Sequence, residues 1–60
     1  MDRYYFYSEK KKTIYHGEAF SSDPDLIYLG TSDNANWAMA AGVFVKDMKI
    51  NSGYKLERLD

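Results

Sequence analysis

His16 and Glu18 stand two residues apart in the run TIYHGEAF, residues 13–20. On a strand that spacing sends both side chains out of one face. A histidine beside a carboxylate can begin a general acid–base pair or a metal site. The rest of the chain supplies little to complete either. His16 is the only histidine and there is no cysteine, so a zinc site with its three or four N/S ligands cannot be assembled in the usual way. No glycine-rich phosphate loop and no nucleophile elbow is present. A sheet built from so short a chain offers no deep pocket. The pair reads as an ordinary surface pair, and the expectation is no catalytic residue, no metal and no cofactor.

Two other groups of residues could recognise a partner. The stretch RYYFY, residues 3–7, places four aromatics in a row after Arg3. Period-two alternation separates Tyr4 and Phe6 from Tyr5 and Tyr7. Phe6 has no hydroxyl to satisfy, so its set is the expected core. Arg3, Tyr5 and Tyr7 are then expected on the opposite face. Tyrosine and arginine are enriched among residues that anchor protein interfaces. If the core instead takes Tyr5 and Tyr7, the candidate face becomes that of Tyr4 and Phe6. Beside them, EKKK at residues 9–12 clusters Lys10, Lys11 and Lys12. Such a turn can contact phosphates while bases stack on Tyr5 or Tyr7. Its plainer role is a solvated, solubilising turn, with Glu9 inside the run.

The elements that must position these groups can be read along the chain. Residues 3–8 and 13–20 have strand character and a polar connection of about four or five residues, the pattern of a hairpin. Gly17 in the second strand suggests a bulge, or a large ring packed on it from the neighbouring strand. SSDPD, residues 21–25, is a loop whose Ser and Asp side chains suit local backbone bonding. LIYL, residues 26–29, is a short strand, closed by Gly30 and placed at an edge.

Residues 31–49 are expected to form the one helix, capped by Ser32 or Asp33. Trp37, Ala41, Phe44 and Met48 make its apolar stripe, with Ala40 and Val45 at the margins. NSG, residues 51–53, is the expected stop. A rival reading ends the helix at Gly42 and makes residues 43–50 a strand, but the helical stripe outlasts the strand alternation, which breaks at Lys46 and Asp47. YKLERL, residues 54–59, reads as a last strand with Tyr54, Leu56 and Arg58 on one side. Residues 1–60 are therefore expected to form a single α+β domain. Its architecture would be a small antiparallel sheet of three to four strands with one helix packed on one face, in the order β-β-(β)-α-β.

Composition narrows the partner. Eight Lys and Arg against nine Asp and Glu leave a net charge of −1, without the basic excess that phosphate-driven binding needs. Asp23, Asp25 and Asp33 are better used as turn formers and caps; with Asp47, Glu57 and Asp60 they also make an acidic surface able to compete for a basic groove. The longest nearly apolar run, WAMAAGVFV at residues 37–45, is far short of the roughly 20 residues that span a bilayer. The opening MDRYYFYSEKKK lacks the order of a secretory signal, so a cytoplasmic location without membrane contact is expected. A domain of this size buries only about 60% of its unfolded surface and commonly needs a staple. With no disulfide available, six tyrosines, three phenylalanines and one tryptophan suggest aromatic packing or a homodimer.

In outline the chain resembles small phage-encoded accessory proteins, including inhibitors of the anti-CRISPR type, which are often very short and cysteine-free with a few strands and one helix. The resemblance implies inhibition by occupying a surface of a larger enzyme or nucleoprotein complex, and it carries over no individual residue. The expected function is a non-enzymatic protein-binding module, a small inhibitor or regulator that uses Arg3, Tyr5, Tyr7, Lys10, Lys11 and Lys12. The alternative is a small single-stranded nucleic-acid binder using tyrosine stacking and the lysine turn.

Overall fold

The computed structural model describes residues 2–51 and 53–60. Strands β1 (Arg3–Ser8), β2 (Thr13–Gly17) and β3 (Ile27–Ser32) precede helix α1 (Trp37–Met48), and strand β4 (Lys55–Arg58) follows it. The strands form one four-stranded sheet in the order β3-β1-β2-β4, with β3 at an edge as expected. β1 is antiparallel to both of its neighbours. β4, however, runs parallel to β2, so the sheet is mixed and the expectation of a wholly antiparallel one is corrected. The cause is the helical connection. α1 carries the chain from the β3 edge to the far edge, and a strand–helix–strand crossover returns the chain in its original direction.

β2, β3 and β4 thus point one way and β1 points back. This direction rule has a consequence for residues 18–26. They leave β2 opposite Tyr4 and must enter β3 opposite Tyr7, so they travel back along β1 across one face of the sheet. Local side chains shape the path: Ser21 Oγ accepts from the Asp23 amide at 3.2 Å and Asp23 Oδ1 from the Asp25 amide at 2.9 Å. The β1–β2 turn is shaped similarly. Ser8 Oγ accepts from the Lys11 amide, Thr13 Oγ1 donates to the Lys11 carbonyl, and Lys12 takes a left-handed φ of 50°.

α1 starts later than its sequence pattern suggests. Thr31 and Ser32 are drawn into β3 opposite Tyr4 and Arg3. Ser32 Oγ and Asn34 Oδ1 then accept from the amides of Asn34 and Asn36. These turns compete with helix, and the cap falls to Asn36, whose side chain accepts from the Met39 amide at 3.1 Å. The helix runs through residues 43–48, so the strand alternative does not form. It ends at Lys49, left-handed at φ 55°, rather than in NSG. Ala40 and Ala41 are its buried residues, with Phe44 and Val45 packed beside them. Met48, expected in the stripe, is half exposed.

Tyr5, Ile14, Ala40 and Ala41 form the buried centre, and Tyr7, Leu29, Phe44, Val45, Tyr54 and Leu56 pack around it. Gly30 is inside β3 and does not close it. A Cβ there would stand 2.8 Å from Phe44 Cε1, and its φ is +143°. Glycine is what lets the Phe44 ring lie on the strand. The sheet's irregularity is here, with Leu29 as an extra residue between the partners of Tyr5 and Phe6. Gly17, where a bulge was expected, pairs regularly with Tyr4; its close neighbour is Leu59 rather than a ring. No described helix is long and apolar enough to cross a membrane.

Candidate protein-binding face

The structure reverses the expected faces of β1. Tyr5 lies under the helix with no exposed surface, its ring 5.2 Å from that of Phe44. Tyr7 is half-buried against the same core. Arg3 is buried beside them. The placement of Arg3, Tyr5 and Tyr7 on an outward partner-binding face is therefore corrected. The hydroxyl criterion did not decide the matter, because both aromatic sets of β1 are covered and Phe6 is buried as well. The cost remains visible: Tyr5 Oη is buried without a hydrogen-bond partner among the described residues. Burial also raises the Tyr5 pKa, with nearby Arg3 opposing the shift.

Arg3 is held in the interior by several polar partners. Its Nε donates to His16 Nδ1 at 2.9 Å, and one terminal nitrogen donates to Asp60 Oδ1 at 2.6 Å. The guanidinium lies 4.8 Å from the centre of the Trp37 ring, and that of Arg58 lies 4.9 Å from it. Both arginines reach Asp60 Oδ1, Arg58 at 3.4 Å. Glu18 approaches Arg3 only to 3.8 Å from an exposed position. The hydrogen bond from Arg3, with a smaller one from Arg58, lowers the Asp60 pKa to about 2. This node closes the helix side of the sheet at one end, with a buried charge that is paired and bonded.

His16 belongs to the same node and is not a surface residue. It is buried, stacked on Tyr5 at 5.6 Å and 4.6 Å from Trp37. Burial, then the positive charge of Arg3, lowers its pKa. Arginine can only donate, so Nδ1 must hold a free lone pair and the neutral ring carries its proton on Nε2. The Arg3 bond occupies Nδ1, and the exposed Glu18 is an ion-pair neighbour of Arg3. Among the described residues, no group of three or more His, Cys, Asp or Glu is placed to hold a metal.

The other face is the candidate site. Residues 18–26 cross it and set Phe20 over β1, 5.7 Å from Tyr4 and 5.4 Å from Phe6. Tyr28 of β3 completes the cluster at 5.1 Å from Phe20 and 5.5 Å from Phe6. Edge and tilted arrangements at these distances are favourable ring contacts. Phe6 is sealed beneath, whereas Phe20 remains 57% and Tyr28 44% exposed. Tyr15, opposite Phe6, extends this face toward a groove of about 400 Å³ lined by Lys10, Lys11, Asp23, Asp25, Leu26 and Leu59. Lys10, Lys11 and Lys12 are exposed at the hairpin tip, as expected. Lys10 and Lys11 share this groove with Tyr15, Asp23 and Asp25, whereas Tyr5 and Tyr7, on which the nucleic-acid alternative stacks its bases, are fully buried and half-buried.

Such a surface offers projecting rings on a rigid base with mixed charge at its rim. Tyr4 and Phe6 were legible as one alternating pair. Alternation carried along residues 13–20 would send Phe20 to the face of His16, but β2 ends at Gly17, so the alternation does not reach it. A large aromatic immediately before SSDPD was the available sign that the loop itself carries packing. Compared with known proteins, the chain matches no family model, no curated protein and no solved structure.

Proposed function

We propose that this chain is a non-enzymatic protein-binding module, a small inhibitor or regulator that occupies a surface of a larger protein or nucleoprotein complex. The observation that supports it is the outer ring cluster, with Phe20 and Tyr28 exposed above a sealed Phe6. Rings already fixed by neighbours lose little freedom when a partner covers them, so more of their burial energy reaches the complex. Contiguous exposed aromatic surface with a charged rim is the usual anatomy of an interface. The partner it fits has an apolar depression that receives Phe20, bordered by charges of both signs opposite Lys10, Lys11, Asp23 and Asp25. The outline resemblance to small phage-encoded inhibitors points the same way, toward a partner in the host cytoplasm.

The test is quantitative affinity capture from host-cell lysate with the wild type, Phe20→Ala and Met39→Ala. Met39 is an exposed helix residue away from the cluster. The expected result is a partner enriched by wild type and Met39→Ala and lost with Phe20→Ala. Equal enrichment by all three overturns the assignment. Tight, salt-sensitive binding of mixed-sequence single-stranded oligonucleotides in an anisotropy titration would replace it with the nucleic-acid reading.

A further inference from the structure

The two edges of the sheet differ in what they present. β4, at one edge, is KLER. Paired antiparallel with a copy of itself about its centre, it would set Lys55 against Arg58, a like-charge opposition that disfavours pairing. β3, at the other edge, is IYLGTS and carries no charged side chain. Among the described residues its only strand partner is β1, and its outward backbone has no partner. Both sides of this edge carry apolar side chains. On the helix side, Tyr7, Ile27, Leu29, Met48 and Ile50 line a groove of about 250 Å³, together with Glu9, Lys49 and Asn51. On the outer side stand Tyr28 and Phe20. Ile27 and Met48 are each about half exposed.

We infer that β3 pairs antiparallel with β3 of a second copy, joining two sheets edge to edge in a two-fold dimer. The occupant follows from self-complementarity. About a two-fold axis at Tyr28, Ile27 stands opposite the partner's Leu29, and both project to the helix side, where the groove accepts them. Tyr28 meets the partner's Tyr28 on the outer side, as a cross-strand aromatic pair. No like charges are opposed anywhere in the strand. The extra residue at Leu29 bends β3 beyond this stretch, so the shared ladder is short and the side chains flanking it supply the rest of the contact. A dimer also provides the staple that a short chain without cysteine lacks. It draws on Tyr28, which also belongs to the outer ring cluster, but it rests on the free strand edge and not on the partner reading above.

The experiment is sedimentation equilibrium of the intact protein from about 1 μM to about 500 μM, where mass action converts monomer to dimer. Wild type is expected to pass from monomer toward dimer in that range. Ile27→Lys, at an exposed position, is expected to raise the dissociation constant at least about tenfold, whereas Met39→Lys on the helix leaves it unchanged. Amide exchange at residues 27–29 in the wild type is expected to slow as concentration rises, a readout that does not require any variant to fold. A monomer throughout overturns the inference, including the case in which the edge serves a strand of another protein. So does a dimer indifferent to Ile27→Lys with no added protection at residues 27–29.

Discussion

On one side of β1, Tyr5 lies fully covered by Phe44, Ala40 and Ala41. On the other, Phe6 is as deeply buried, but beneath Phe20 and Tyr28, which stand about half exposed. The first cover is a helix whose small residues allow close approach and whose end is sealed by Arg3, His16, Trp37, Arg58 and Asp60. The second is a crossing loop that contributes one ring. A helix buries a continuous stripe, whereas a loop must keep its own backbone near water and covers only where a side chain reaches in. The same strand is therefore finished on one face and left with exposed rings on the other, and those rings are the surface proposed to bind a partner.

The comparison is broken most directly by truncating one residue on each face. Ile14→Ala, under the helix, is expected to cost about 3 kcal/mol by leaving a cavity in a fully packed site. Phe20→Ala, with more than half of its side chain already in water, is expected to cost about 1 kcal/mol. Urea unfolding midpoints measure both. Comparable losses would mean that the outer face is a second core and is not free for a partner.

Acid sharpens the contrast next, because the titrating node lies on the helix face alone. The folded pKa of His16 is lowered from 6.5, so the unfolded chain takes up this proton first. Stability from it is complete above that value and is lost as pH falls through and below it. Asp60 acts in the same direction lower down, between its ordinary 3.8 and about 2. Urea midpoints are expected to be level near neutrality and to decline in two stages on acidification. His16→Gln removes the upper stage, since the amide oxygen can still accept from Arg3 without titrating. Phe20→Ala lowers the whole curve and leaves its shape. A profile without slope between about pH 6.5 and 5 contradicts the buried neutral histidine.

The smallest effect concerns the unpartnered hydroxyl of Tyr5. Tyr5→Phe removes a buried polar atom and keeps the ring, so stability is expected to be unchanged or to rise by up to about 1 kcal/mol. A loss above about 1 kcal/mol would show that the hydroxyl is bonded in solution.

Much of the fold was legible from short-range pattern. The hairpin around EKKK, the edge strand near LIYL, the helix with Ala41 and Phe44 inward and the last strand all follow from local propensity and period, which depend on neighbours a few residues away. The candidate site was legible only in part. Alternation separated Tyr4 and Phe6 from Tyr5 and Tyr7 correctly, but it carries no information on which set meets the helix. Arg3 and His16 read as surface residues because each is polar alone. Their burial depends on Asp60 and Trp37, many residues away in sequence.

Taken by itself, the sequence determined the element types, their order, the absence of cysteine chemistry and the period-two partition of RYYFY. The tertiary structure alone decided the sign of that partition, the parallel return of β4 and the route of residues 18–26 over the outer face. The physical reason is common to all three. Each is a relation between segments distant in the chain, set by strand direction and by which surfaces close on one another, and no local propensity encodes it. The face of β1 left with exposed rings is thus a property of the assembled sheet, although every ring on it is written in the sequence.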